Sequence, residues 1–260
     1  MIITKSNILQ GLSPTVTTGA SSDLPANLTN PNMSKIYRSS DSLRLTYEFG
    51  ATETINYVAV AGVNIGAGDG FASVNEYSRA RVYDGGTVIK TVNVIRDNCI
   101  VLYFTARTFG NLIVTLKNSN NINPICSYTA AGMAFEVPNS GEVSGYNRQF
   151  LNRSYKQKTT TNTIGAPVSN LRKRIPAKGS LNLPNMTKEF SEGEWQEFLD
   201  FANENLFFIL EQTEGVDGNF SGLNPSAYLC YNIGKNDVKA HASTRKLNNI
   251  GLSFQVYNGL

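Results

Sequence analysis

The apolar positions of the chain follow two periods. Leu43 to Phe49 alternates apolar and polar residues, as a half-buried strand does, whereas Tyr57 to Ile65 is almost wholly apolar and predicts a central strand. Arg79 to Tyr83, the turn Asp84-Gly85-Gly86 and Thr87 to Ile95 predict a hairpin, the glycines supplying the positive φ of a tight turn. Ile100 to Phe104, Asn111 to Leu116 and Ala131 to Val137 complete a set of short strands at sandwich spacing. The period then changes. Trp195, Phe198, Leu199 and Ala202 stand at i, i+3, i+4 and i+7, with Glu192, Gln196, Asp200 and Asn203 opposite, which predicts an amphipathic helix over 191–203. Ser191 and Glu194 have the spacing of a capping box, and Phe190 and Trp195 that of a hydrophobic staple. Leu206 to Leu210 is a continuous apolar run that suits a strand buried on both faces, and Lys178 to Leu183, Tyr228 to Ile233 and Leu252 to Tyr257 are further strands.

These elements predict a mainly β protein of two domains. Residues 1–138 form a jelly-roll-like β-sandwich led by an N-terminal arm over 1–40, where turn formers replace periodicity. Residues 139–260 form a small β domain with the one helix, and Pro138-Asn139-Ser140-Gly141 marks the boundary. At 260 residues there is chain enough for either one large β unit or two ordinary ones.

Charge adds one feature. The net charge of +3 is too small to imply nucleic acid or a membrane surface, and nucleic acid is not an expected partner. Between 145 and 175, however, Arg148, Arg153, Lys156, Lys158, Arg172, Lys173 and Arg174 stand against no carboxylate, as a long strand pair or an arm. Such a run serves as a solvated face, as a subunit interface, or, interleaved with Tyr146, Phe150 and Tyr155, as a grip on nucleic acid; its place between two compact units favours the interface. Cys99, Cys126 and Cys230 fit no disulfide or zinc framework and are expected reduced, in a protein made in a bacterial host cytoplasm without its own export signal or a membrane-inserted segment.

Catalytic chemistry is hard to compose from these residues. His241 is the only histidine and lies in a polar, lysine-rich stretch, so neither a histidine-based nucleophile activation nor a histidine-bound metal is expected, and no cofactor is. Two carboxylates suffice for a glycosidase, and Asp69, Glu76, Asp84 and Asp97 lie in or beside loops, where they equally serve turns and solvation. The Gly66 to Gly70 loop lacks the spacing of a phosphate cradle. Asn27, Tyr37 and Arg38 are candidates for holding a sugar, by ring stacking and hydrogen bonds to hydroxyls, and equally for fastening the N-terminal arm.

Asn27-Leu28, Tyr37-Arg38-Ser39, the Tyr57 to Ile65 strand and Arg79-x-x-x-Tyr83 together resemble the discoidin-like jelly-roll modules of bacteriophage tail proteins, with Tyr37 where those modules often carry Trp. Leu181-Asn182-Leu183, the helix from Ser191 to Ala202 and the Leu206 to Leu210 strand are similar in order to phage distal-tail and minor-tail proteins. The resemblance implies a non-enzymatic virion component of the tail tip or baseplate, a homo-oligomeric ring among other tail proteins, with 1–30 and 145–175 as interface elements and a host surface glycan as a possible ligand. Two other readings remain beside it, a carbohydrate-binding module and a glycan hydrolase.

Overall fold

The computed structural model describes residues 1–17, 23–31, 36–39, 42–65, 78–94, 98–117, 123–138, 155–161, 167–174, 178–210, 227–240 and 247–257. The protein is mainly β. In chain order the strands are β1 (Ile2–Thr4), β2 (Thr15–Val16), β3 (Tyr37–Arg38), β4 (Leu43–Val63), β5 (Ser78–Asp84), β6 (Thr87–Val94) and β7 (Asn98–Lys117). There follow β8 (Ile125–Cys126), β9 (Tyr128–Gly132), β10 (Ala134–Glu136), β11 (Tyr155–Thr161), β12 (Pro167–Arg174) and β13 (Lys178–Thr187). Helices α1 (Lys188–Glu192) and α2 (Glu194–Glu204) precede β14 (Phe207–Leu210), β15 (Ala227–Ala240) and β16 (Leu247–Val256).

The first sheet, in the order β2-β4-β7-β5-β6 with β9 also on β4, is built on one long antiparallel ladder. The expected strands Leu43 to Phe49 and Tyr57 to Ile65 fall at the two ends of β4, the second stopping at Val63, and β7 likewise joins two expected strands. Between them the register shifts at Glu48/Glu53 and Ile55/Tyr57. Those bulges invert the side-chain phase: Leu43, Leu45 and Tyr47 point into the same core as Val58 and Val60. One ladder thereby supplies both walls of the sandwich. Tyr57, Ala59 and Ala61, on the other face of β4, enter a different cluster.

The second sheet runs β10-β1-β14-β15-β16-β13. The predicted strand at 206–210 is there, all four residues of β14 buried; Phe207 and Ile209 face one cluster, Phe208 and Leu210 another. Two expectations need correction. Met1 to Thr4 is no arm: Ile2 pairs with Glu136 on one side and Leu210 on the other, and Ile2 and Ile3 are buried, because this apolar start completes the second sheet. The expected strand Ala131 to Val137 is cut at Met133, β9 staying on β4 while β10 pairs with β1. The sandwich is therefore strung between two neighbouring strands of the second sheet, which draws strands from both sides of the boundary expected near 138.

The helical segment differs from its sequence signature in its start. Gly193 (φ −101°, ψ −100°) separates α1 from α2, and Thr187 caps α1, its Oγ1 accepting from the Phe190 N–H at 3.2 Å. Ser191 is no cap; it is buried inside α1 and its hydroxyl donates to the Thr187 carbonyl at 2.8 Å. The apolar stripe Trp195, Phe198, Leu199 and Ala202 is buried as its spacing requires. Trp195 meets Phe190 (centroids 6.3 Å apart) and Phe198 (5.1 Å), and Phe198 stands edge-on to Phe207 at 5.2 Å, seating the helices on the second sheet. The other face of that sheet packs on the sandwich. Tyr128 stacks on Phe208 with centroids 6.2 Å apart, within a layer that also holds Ile2, Tyr57, Val101 and Leu229. The molecule is thus layered, with one apolar core inside the sandwich, one between the sheets and one under the helices.

Candidate functional site

The polar groups buried between the layers gather where the chain leaves the second sheet and returns to it. Residues 5–8 run beside 131–133, with the Lys5 N–H donating to the Met133 carbonyl and the Ile8 N–H to that of Ala131, both at 2.8 Å. Ser6 Oγ accepts from the Met133 N–H at 2.7 Å, and the Tyr57 hydroxyl donates to the Ser6 carbonyl at 2.5 Å. A Cβ on Gly132 would meet Ser6 at 2.6 Å, so this close approach requires glycine. Asn7 Nδ2 donates to the Tyr128 hydroxyl at 3.0 Å, and Asn56 makes a paired contact with Ala134, donating to its carbonyl at 2.8 Å and accepting from its N–H at 2.7 Å. Burial pushes the Tyr128 hydroxyl up to about 12, against the opposing bond from Asn7, and moves that of Tyr57 up further. Outside this seam Lys5 bridges to α2, its Nζ 3.1 Å from Glu194 and 3.0 Å from Glu197. These groups join layers; they offer no reactive pair.

The loop residues proposed for a sugar are brought side by side but not as a stacking platform. Asn27 sits in a 3-10 turn (Pro25–Thr29) next to β3, its N–H donating to the Leu24 carbonyl at 2.9 Å. Tyr37 is only 3% exposed and lies in the sandwich core. That is a correction: β3 pairs with β8 and turns the ring inward, so no ring face is left for a pyranose. Burial, with Asp23 nearby, raises the Tyr37 pKa. Arg38, the next residue of the strand, points out and is exposed.

A row that the sequence reading missed lies on the outer face of the sandwich. Arg44 of β4 opposes Thr115 of β7, which opposes Arg81 of β5, and Tyr83 follows Arg81 on the same face. Arg81 donates to the Tyr83 hydroxyl at 3.4 Å, which with Thr115 and the charge of Arg44 lowers the Tyr83 pKa. Arg81 Nε is buried without a protein acceptor. The alternation Arg79-x-Arg81-x-Tyr83 was legible as one face of a strand; only the register adds Arg44 and Thr115. Guanidinium, hydroxyl and phenol in one row can bond sugar hydroxyls or a carboxylate.

The basic segment forms the strand pair β11–β12, a two-stranded sheet of its own. Lys156 opposes Lys173, Arg172 opposes Gln157, Arg174 opposes Tyr155 and Lys158 opposes Leu171. Arg148, Arg153, His241, the Gly66 to Gly70 loop and the carboxylates Asp69, Glu76 and Asp97 lie outside the described residues; Asp84 pairs with Thr87 beside the β5–β6 turn. Cys99, Cys126 and Cys230 are free buried thiols whose pKa burial raises, that of Cys126 to about 12. Among the described residues no three His, Cys, Asp or Glu side chains are grouped to hold a metal ion, and no helix is long and apolar enough to cross a membrane.

No protein-family model matches the chain, and no curated protein does. Among solved structures it is similar to chitosan-binding module 1 of a chitosanase/glucanase from Paenibacillus sp. IK-5 (12% identity, TM-score 0.39), over 48% of this chain and 98% of that one. Module 2 of the same enzyme, in complex with chitotriose, gives 9% identity and a TM-score of 0.39, over 48% and 99%. A Ruminococcus gnavus GH29 fucosidase in complex with fucose gives 16% and 0.40, over 51% of this chain and 27% of that one.

Proposed function

We propose that this chain is a structural subunit of a bacteriophage tail tip or baseplate, in which the second sheet with its helices is the base and the sandwich is the part it carries. The observation that supports this reading is the way the sandwich is mounted. It enters through β1 and leaves through β10, adjacent strands of the second sheet, and an apolar layer including Tyr128 and Phe208 fills the space between. Two covalent connections and a shared apolar layer fix the orientation of one part on the other, unlike a module on a single linker. Fixed orientation is what a part held in a larger symmetric particle needs. The order of motifs along the sequence supplies the tail assignment. Electron microscopy of virus particles labelled with an antibody to this chain tests it: label at one end of the tail is expected, and particles that stay unlabelled while free protein is labelled would refute it.

A second reading, carbohydrate binding by the sandwich, is favoured by the Arg44, Thr115, Arg81 and Tyr83 row rather than by Tyr37. On this reading the row binds a surface glycan, weakly per site, at millimolar to micromolar Kd. A glycan array of the folded protein should show binding that Arg81→Ala abolishes and Tyr37→Phe leaves intact; a blank array would remove the reading.

A further inference from the structure

The outer face of the sandwich carries positive charge that the chain itself does not neutralise. Across four strands one row reads Thr91 of β6, Arg81 of β5, Thr115 of β7 and Arg44 of β4, each directly opposite the next. Strands stand about 4.8 Å apart, so the two arginine positions are about 10 Å apart with a threonine between them. Lys117 lies two residues beyond Thr115 on the same face and is exposed, as is Thr91. Arg44 already takes part in another interaction within the chain, whereas Arg81 and Lys117 have no carboxylate partner among the described residues.

Arg81 is the centre of this face. It is half-buried, its Nη1 donates to the Tyr83 hydroxyl at 3.4 Å, and its Nε is buried without an acceptor among the described residues. A guanidinium in that state has given up water without gaining an anion, and a carboxylate would restore both the charge balance and the missing bonds. The bonds from Arg81 and Thr115 and the charges of Arg81 and Arg44 lower the Tyr83 pKa, as an uncompensated positive face does. The nearby carboxylates stand off the row. Glu48 faces the same way but lies four residues along β4 from Arg44, about 14 Å, and Asp84, next after Tyr83, belongs to the opposite phase of β5.

The place of the row decides what kind of anion fits. β7 lies between β4 and β5, and β5 between β7 and β6, so the backbone groups beneath Arg81 and Thr115 are spent in ladders on both sides. A peptide that adds as a strand needs a free edge, which this row does not offer. The occupant must instead bring hydroxyls to Thr91, Thr115 and Tyr83 and a negative group to Arg81. A carboxylated sugar chain has both.

We propose that this face binds an acidic polysaccharide, a ligand carboxylate pairing with Arg81, a further one with Lys117, and the sugar hydroxyls bonding Thr91, Thr115 and Tyr83. This rests on the carbohydrate-binding reading and names the class of ligand.

The test is affinity electrophoresis of the full chain in gels holding polygalacturonate, alginate, hyaluronate or polysialic acid, each beside the same polymer with its carboxyl groups reduced to alcohols. Circular dichroism and thermal unfolding establish that every variant is folded. At least one acidic polymer should retard the chain at about 0.05 M salt and less at about 0.5 M, and its reduced form should not. Arg81→Gln should weaken retardation about tenfold or more, the loss of a charge-assisted pair. Lys117→Gln, an exposed change that leaves the core alone, should weaken it severalfold, and Arg38→Gln, the same loss of charge on β3, should not. Equal retardation by a reduced polymer, or loss of binding in Arg38→Gln with Arg81→Gln and Lys117→Gln unaffected, would overturn the proposal. Equal retention of a single-stranded oligonucleotide would overturn it in favour of unselective polyanion binding. A glycan array separates the two levels: neutral glycans bound through Arg81 while every acidic polymer fails remove the acidic ligand and leave the carbohydrate reading, and a blank array with no retardation removes both.

Discussion

Asn56 is where a single side chain holds the passage from one sheet to the other. It falls at a register shift of β4, and it exchanges two hydrogen bonds with the backbone of Ala134, at 2.7 and 2.8 Å, as a strand residue would. Both residues are buried, Asn56 at 7% exposed and Ala134 at 5%. Asn56→Ala therefore orphans a buried N–H and a buried carbonyl at about 1–3 kcal/mol each, for a loss of about 2–6 kcal/mol. With a urea slope of about 3 kcal/mol/M, the midpoint should fall by about 0.7–2 M. Asn56→Asp sharpens the test. Ionised, it keeps the acceptor for the Ala134 N–H but sets a carboxylate oxygen against the Ala134 carbonyl; protonated, it can donate there and restore both bonds. Its folded pKa must then lie above the ordinary value of about 3.9, so the variant's deficit should shrink as pH falls from 7 to 3 when both proteins are measured at each pH. A cost below about 0.5 kcal/mol for Asn56→Ala, or a pH-independent deficit for Asn56→Asp, would refute the role given to this side chain.

Gly179→Ala should be destabilising although Gly179 lies in a regular strand, because its Cβ would come within 2.4 Å of the ring of Phe254, its buried cross-strand partner; a loss of about 1–3 kcal/mol, a few degrees in Tm, is expected in calorimetry. Thr187→Ala should cost about 1 kcal/mol by removing the α1 cap, whereas Ser191→Ala should leave that cap intact, reversing the order the sequence pattern implies; urea unfolding of the two variants decides it. Tyr128 holds its proton to about pH 12 in the folded chain and to about 10 when unfolded, so it stabilises fully below pH 10 and this contribution is lost as pH rises to 12. Tyr128→Phe should accordingly flatten the fall in stability above pH 10, as read by chemical denaturation at stepped pH.

What the sequence disclosed was local. The period-3.6 stripe of Trp195, Phe198, Leu199 and Ala202 and the unbroken run ending in Phe207 to Leu210 each report burial directly, because side-chain direction follows from residue number within one element. What it concealed depends on partners far along the chain. Ile2 and Ile3 look like an arm until β14, some two hundred residues on, supplies the other side of the ladder. Met133 carries no turn signal, since the change of sheet there is made by Asn56 and Ser6. Tyr37 failed as a sugar platform for the same reason: alternation shows that Tyr37 and Arg38 face opposite ways, not which of them faces the core. The Arg44, Thr115 and Arg81 row exists only through the pairing of three strands.

The mount constrains how the sandwich can move on the second sheet. Because β1 lies between β10 and β14, pulling the sandwich away from the base must break ladders on both sides of β1 and expose the layer around Phe208. The sandwich is therefore the rigid end of the molecule, and its outer row, Arg44 to Tyr83, keeps a fixed angle to the second sheet. The layer that holds the sandwich on its base is apolar packing, which salt does not screen. Raising ionic strength should accordingly leave the sandwich fixed on its base, so that hydrogen exchange at the Phe208 and Ala134 amides does not change. If those amides lose protection as salt rises, the sheets are held together by charge rather than by their own apolar layer, and the reading of a rigid mount fails.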